Sequence, residues 1–293
     1  VIGGWLTEHY NWRWVFMVNV PVGIGTIMLL GRTMPKFPKI RQKFDMVGFL
    51  LLALALASLQ LMLERGQQLD WFDSVEILIE CGLMIAGGWM FFIHMLTAKH
   101  PLFDRAMLFD RNFALGLLFM VVTGIILLAG LALLPPLLQQ LYGYTVLQSG
   151  ILTMPRGFGV LFAMVGAQRL ISKGIDIRAI IVVGLLLTAL SLYQMSNFAL
   201  TMGKSPIIWS GLIQGLGLGL LFITVQNIAF TTLAPSLRTS AASLLNLMRN
   251  IGGSVGISLV ATVLSRNLQT AHADLSASLS GYNAGILVST AQS

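Results

Sequence analysis

The sequence predicts an all-α integral membrane protein, a helical bundle that crosses the lipid bilayer about eight times. Hydrophobic residues make up 56% of the 293 residues and charged residues only 10%, with a mean hydropathy of +0.82. A water-soluble domain carries roughly 25% charged residues, so too little charge is present to solvate a surface that faces water on all sides. The apolar residues form long continuous runs, and the basic residues cluster between those runs.

Eight apolar runs have the length of a membrane span, which takes about 20 mostly apolar residues. The runs are continuous rather than alternating, and backbone groups in lipid must be satisfied within their own segment. This pattern predicts helices, because β-barrel strands are shorter and alternate. The predicted spans are 14–32, 46–63, 75–96, 113–138, 149–168, 179–198, 207–231 and 240–264.

The distribution of lysine and arginine predicts the orientation of these spans. Two arginines lie inside spans; of the other basic residues, twelve fall in the loops on one side and four in the loops on the other. The richer side is predicted to be cytoplasmic. The cytoplasmic loops are then 33–45, 97–112, 169–178 and 232–239. A polar stretch near 265–283 is expected outside, as a small exposed helix or a disordered loop.

The sequence shows no pattern typical of an enzyme, a metal site or a nucleic-acid interface. The four histidines lie in loops or at span ends, and no HExxH, GxSxG or Walker motif is present. A single cysteine excludes an internal disulfide framework. The net charge is +7, and the basic residues that produce it lie mostly in the loops, as membrane topology requires. We therefore expect no catalytic residues, no cofactor, no metal and no nucleic-acid partner.

Polar residues inside the predicted spans are few, and each needs a polar partner or a watery cavity. Two readings stay open for them. They line a path for a substrate, or they make structural hydrogen bonds between helices. The candidates are Arg156, Arg249, Asn246, Gln214, Gln226 and Asn227.

Small residues recur at spacings that place them on one helix face. Such residues let two helix backbones approach closely, and the contact is either ordinary packing or a moving surface. Prolines at 135, 136 and 155 are predicted to bend or end helices. The helix-packing candidates are Gly211, Gly215 and Gly219 in one span and Gly252 and Gly256 in another.

The acidic residues all fall in loops or near the ends of spans. Glu76 and Glu80 are closest to the membrane, on one face at the outer end of the 75–96 span, where we expect them to sit at the lipid interface. A proton-driven carrier usually needs a carboxylate deep in the membrane. The sequence predicts no such group here.

Several motifs resemble one known family along nearly the whole chain. The chain is similar to the major facilitator superfamily, in particular to the fourteen-helix drug:proton antiporters of the EmrB/QacA type. The opening Gly3-Gly4-Trp5-Leu6, Trp12-Arg13-Trp14-Val15-Phe16 and Asn19-Val20-Pro21-Val22-Gly23 resembles the end of the antiporter motif of helix five and the start of helix six. Further matches are Phe44-Asp45-Met46-Val47-Gly48, Pro155-Arg156-Gly157 and Gly252-Gly253-Ser254-Val255-Gly256.

The resemblance implies an incomplete bundle that covers about helices six to thirteen. The proton-carrying acid of the family belongs to earlier helices, so the resemblance assigns that role to no residue of this chain. The implied segments are 1–32, the end of helix five and helix six; 33–45, a cytoplasmic loop; 46–96, two inter-bundle helices; 97–112, a cytoplasmic loop; 113–264, most of the C-terminal bundle; and 265–293, a periplasmic loop before the last helix.

The resemblance also implies a function and partners. It predicts a proton-coupled multidrug exporter of the bacterial inner membrane that works by alternating access on small amphipathic drugs. The most similar branch is the inner-membrane subunit of tripartite pumps, which works with a periplasmic adaptor and an outer-membrane channel. Two alternatives remain: a carrier of the same fold for another cargo, such as a siderophore or a fatty acid, and a non-transporting membrane scaffold or receptor.

Overall fold

The computed structural model describes residues 2–33, 44–199 and 201–278, and within these ranges the regular structure is helical. Short 3-10 turns lie at Trp71–Asp73 and Pro235–Leu237. The helices are α1 (Ile2–His9), α2 (Arg13–Met17), α3 (Asn19–Thr33), α4 (Met46–Arg65), α5 (Val75–Thr97), α6 (Arg105–Leu108), α7 (Arg111–Pro136), α8 (Val146–Ser172), α9 (Ile177–Ser196), α10 (Lys204–Thr231) and α11 (Arg238–Ser278).

Eight helical stretches of the described chain are long and apolar enough to cross a membrane, which confirms the predicted number. Their ends differ from the predicted ones by a few residues because polar caps start the helices earlier. The Asp110 carboxylate accepts a hydrogen bond from the Phe113 N–H at 2.8 Å. Thr145 and Gln148 form a reciprocal capping box at the start of α8. Such caps satisfy the N–H groups that a helix start leaves free.

The last helix is longer than the sequence pattern predicts. The predicted span ended at residue 264, followed by a separate polar stretch, but α11 runs without a break to Ser278 over 41 residues. Residues 265–278 contain neither glycine nor proline, so nothing in this segment interrupts the helical hydrogen bonds. The remainder of the predicted stretch, 279–283, lies outside the described residues.

The prolines act differently in the two helices that hold them. As predicted, α7 ends at Pro136, and the chain continues as a π turn over Leu137–Leu141. Pro155, in contrast, lies inside α8 and does not end it. A proline removes one N–H from the helix. Membrane helices tolerate this loss where neighbouring groups satisfy the freed carbonyl.

The helices α7 to α11 pack as one bundle, with α10 at its centre. The most extensive pairs are α8 with α10, α7 with α11, and α9 with α10. The core includes Phe113, Met120, Leu221 and Leu245, each at most 2% exposed. The helices α4 and α5 form a separate pair that touches α11, and α1 contacts the start of α8. The bundle thus places α10 against both α7 and α8.

Contacts between loops agree with the predicted alternation of sides. The Thr232 hydroxyl donates to Asp110 at 2.8 Å, and both residues belong to loops predicted to be cytoplasmic. The Tyr142 hydroxyl donates to the Ala199 carbonyl at 2.9 Å, and both of these lie on the predicted outer side.

Candidate functional site

Arg156 is a buried charge in the middle of the bundle. It lies ten residues into α8, about 15 Å along the helix axis, and is only 7% exposed. Its Nη2 donates to the Leu127 carbonyl of α7 at 3.3 Å. Among the described residues no acid forms an ion pair with it. A guanidinium offers five N–H donors, so most of its donors remain available.

Gln214 lies at the same depth of α10 and faces the same region. Its side chain is fully buried, and neither amide atom has a hydrogen-bond partner within the described chain. A methyl group built at Gly130 of α7 would lie 3.4 and 3.5 Å from the two terminal nitrogens of Arg156 and 3.6 Å from Gln214 Nε2. The guanidinium of Arg156 and the amide of Gln214 therefore both lie next to Gly130, where α7 has no side chain.

A cavity of about 580 Å³ opens beside this pair, between α7 and α8. We call it the α7–α8 cavity. Arg156 and Gly130 line it, and most of its wall is apolar. The other wall residues include Leu131, Leu134, Met154, Phe158, Val160 and Leu161. Ligand sites in proteins commonly have this volume, an apolar wall and a few polar groups.

Four of the five predicted packing glycines lie at close helix contacts, and Gly211 lies at an ordinary contact distance. Gly215 of α10 lies directly against the backbone carbonyl of Arg156, and a methyl group at Gly219 would lie 2.5 Å from the Val160 carbonyl. On the other side of the bundle, Gly252 faces Val121 of α7. A methyl group at Gly256 would lie 2.7 Å from the carbonyl of Ile125. Gly211 lies near the Arg156 Cβ.

Arg249 occupies a different part of the bundle from Arg156. It is half-buried, and its guanidinium carbon lies 5.5 Å from the centre of the Phe222 ring. A cation at this distance from an aromatic face is attracted by the ring. Phe222 lies eight residues beyond Gln214 on α10, about 12 Å along the axis. The two intramembrane arginines therefore have separate surroundings.

The remaining predicted polar residues do not join the Arg156 cluster. Asn246 is exposed, and Gln226 is half-buried. Asn227 Nδ2 donates to the Ile223 carbonyl of its own helix at 2.8 Å and to Gln168 Oε1 at 3.3 Å. The structure brings Arg156 and Gln214 together and leaves the others apart.

The two acids at the outer end of α5 differ, although the sequence analysis treated them alike. Glu76 forms an ion pair with Arg65, and both side chains are about half exposed. Glu80 is 7% exposed, and its Oε2 has no hydrogen-bond partner in the described chain. Glu80 is therefore enclosed by protein, whereas Glu76 is half exposed. The spacing of Glu80 from Gly87, which packs on Ala55 of α4, was the available signal.

Asp45, which the sequence analysis treated only as part of a motif, connects three segments outside the spans. Its carboxylate accepts hydrogen bonds from the Gly48 N–H at 2.9 Å, the Leu102 N–H at 3.1 Å and the His94 imidazole at 2.9 Å. Burial acts to raise the pKa of Asp45, but these hydrogen bonds and the charge attraction of His94 together hold its pKa below the usual value. The start of α4, the end of α5 and the following loop are thus fastened together.

Comparison with known proteins places this geometry in a family of transporters. The chain is 30% identical over 288 residues to the multidrug export protein EmrB of Escherichia coli, with 97% of this chain and 56% of the relative covered. It is 29% identical to the fatty acid resistance protein FarB of Neisseria gonorrhoeae, with the same coverage. Against the colistin resistance protein EmrB of Acinetobacter baumannii, identity is 29%, with 88% of this chain and 51% of the relative covered.

The chain spans about half the length of the curated relatives it matches. The sequence profile of the Major Facilitator Superfamily matches residues 1–257, a range that includes the first seven spans and about half of α11. The resemblance noted in the motifs is therefore confirmed. This chain, a multi-pass membrane protein, belongs to the Major Facilitator Superfamily.

Proposed function

We propose that this chain is the substrate-binding half of a multidrug efflux transporter. The observation that carries the proposal is the α7–α8 cavity, which offers an apolar wall and the buried Arg156 in a bundle whose relatives are named as multidrug export proteins. Apolar walls accept many compounds, whereas a few polar groups orient them. In this proposal α3 corresponds to helix six, α4 and α5 to the inter-bundle pair, and α7 to α11 to most of the second bundle.

The proposed mechanism is proton-coupled antiport by alternating access. Two helix bundles rock around a site near the membrane midplane, so that the site opens to one side at a time. The bundle α7 to α11 would be one of these two bodies, held together by close backbone contacts at Gly215 and Gly252.

The proposed location is the bacterial inner membrane, with the loop at 97–112 in the cytoplasm. A periplasmic adaptor and an outer-membrane channel are the proposed partners. The length of α11 supports an outer contact surface. Its 41 residues extend about 60 Å, against a hydrocarbon core of about 30 Å. Site-specific crosslinking from Gln269 in this outer part would capture the adaptor in intact cells.

The proposed export function is tested in a strain that lacks its own major drug exporters. The full gene product should raise the inhibitory concentrations of several amphipathic drugs. In energised inside-out vesicles, adding such a drug should release protons in a quantity that depends on drug concentration. Unchanged drug susceptibility and no drug-dependent proton release, at a membrane level equal to that of an active exporter, would contradict the proposal.

A second candidate function is export of a fatty acid by the same fold. Similarity to the protein named fatty acid resistance protein FarB favours it. The same strain and vesicles distinguish the two functions, because protection against long-chain fatty acids alone would exclude broad drug export.

A further inference from the structure

The buried charge of Arg156 has no counter-charge in the described chain. Arg156 is 7% exposed, and its guanidinium has one hydrogen bond, to the Leu127 carbonyl. Glu76 and Glu80, the acids closest to the membrane, lie on α5, a helix outside the bundle that holds Arg156. Arginine keeps its charge in proteins, and a charge in a membrane protein is stable when an opposite charge or water meets it.

The groups around Arg156 form the outline of a site for an anion. Gln214 Nε2 is a fully buried donor without a partner in the described residues. Gly130 contributes no side chain, so the space between the guanidinium and the amide stays open. The α7–α8 cavity continues from this space along apolar side chains such as Leu131 and Phe158. The Arg156 guanidinium thus forms the polar end of an apolar chamber, and Gln214 lies beside the guanidinium without lining the chamber.

We propose that the α7–α8 cavity binds amphiphiles through a carboxylate head group, which pairs with Arg156 at the polar end of the cavity. This inference rests on the proposed transport function and names the substrate class of the same site. A carboxylate fits because the planar guanidinium presents parallel N–H groups at the spacing of its two oxygens. The apolar part of the amphiphile lies along the α7 and α8 wall.

The test uses the purified full gene product in phosphatidylcholine nanodiscs, which carry no net lipid charge. Three fluorescent probes share one ring system and differ only in head group: anthracene-9-carboxylate, 9-anthracenemethanol and 9-(aminomethyl)anthracene. The carboxylate should bind at least about tenfold more tightly than the alcohol, as expected for a charge-assisted pair in a desolvated site. The amine should bind more weakly than the alcohol, because its charge repels the guanidinium.

Variants assign the preference to named groups. Arg156→Gln should remove the roughly tenfold preference for the carboxylate and leave the affinity for the alcohol unchanged. Arg156→Lys should keep part of the preference, since the positive charge remains but the parallel N–H donors of the guanidinium are lost. Arg169→Gln is the matched control, because it removes an exposed arginine from the last turn of the same helix and should leave the preference intact.

A steric variant tests the same site without changing charge. The methyl group of Gly130→Ala would lie 3.4 to 3.6 Å from the nitrogens of Arg156 and Gln214, so it fits the fold and fills the space for the head group. It should weaken carboxylate binding more than alcohol binding. If Arg156→Gln does not elute as a folded species in size-exclusion chromatography, Gly130→Ala and Arg156→Lys decide the question.

Two results would overturn the proposal. Equal affinities of the three probes for the wild type would mean that the guanidinium does not select anions. This result is expected if a carboxylate side chain of the same protein already pairs with Arg156. A carboxylate preference that survives Arg156→Gln would place the anion elsewhere. The two proposals fail separately, because a protein that exports drugs but binds the probes equally refutes only the anion site. One that prefers the carboxylate but confers no resistance refutes only export.

Discussion

Replacing Gly159 with alanine tests the close contact between α8 and α10. A methyl group at Gly159 would lie 2.6 Å from the Leu212 carbonyl oxygen and 3.0 Å from the Leu216 nitrogen of α10. Ordinary contacts of this kind begin near 3.4 Å, so the two helices must separate by several tenths of an ångström. Overpacking of this size destabilises a well-packed core by about 1–3 kcal/mol.

Gly166 of α8 provides the matched control. Its added methyl group would meet no atom within 4 Å in the described structure. Both substitutions gain the same helix propensity, about 1 kcal/mol for alanine over glycine, so their difference isolates the contact. The free energy of unfolding of Gly159→Ala should therefore be about 1–3 kcal/mol lower than that of Gly166→Ala.

The assay is unfolding of the purified full gene product in mixed micelles by titration with dodecyl sulfate, followed by far-ultraviolet circular dichroism. Equal unfolding free energies for the two variants would refute the close contact between α8 and α10. A loss confined to Gly166→Ala would refute the assignment of the face of α8 that packs on α10.

Three further predictions follow from the charges and the junctions of the fold. In a cysteine-free background, an impermeant thiol reagent should label Gln68→Cys but not Lys99→Cys in intact cells, and the opposite result would invert the topology. Arg249→Ala should lower drug resistance at unchanged membrane level, because it loses a cation–π contact of about 0.5–2 kcal/mol; wild-type resistance would exclude a role for this arginine. Asp45→Asn should destabilise the protein at pH 7. The pKa of Asp45 is lowered from 3.8. The stabilisation that its carboxylate gives the folded state is therefore present above pH 3.8 and is lost as the pH falls through the lowered pKa. The variant and the wild type should therefore converge in dodecyl sulfate titrations only in acid below pH 3.8, and a difference that disappears already at pH 6 would contradict the assignment.

The predicted spans and the observed helices agree because the membrane leaves few alternatives for an apolar run. A segment in lipid must satisfy its own backbone groups, so length and composition decide that it is a helix. The boundaries were less predictable. The cap at Asp110 and the continuation of α11 to Ser278 depend on local hydrogen bonds that hydropathy does not describe.

The surroundings of the two acids of α5 could not be predicted from the sequence pattern. Glu76 and Glu80 lie one turn apart and look equivalent as residues at the end of a span. Glu76 meets the charge of Arg65, whereas Glu80 is enclosed without a partner for one of its oxygens in the described structure. Burial depends on which neighbouring helix covers each position, and the sequence of α5 indicates this only indirectly, through Gly87 seven residues after Glu80.

The residue pattern was enough to predict the class of protein, the number of spans and the set of polar residues that must avoid lipid. These properties follow from transfer free energies of individual residues, which a linear pattern records. Which of the polar residues meet depends on the fold. Arg156 and Gln214 come from different helices, and they flank Gly130 because Gly215 lets α10 approach the backbone of α8. Such neighbours depend on close packing between helices, and this packing arises only when the whole bundle has formed.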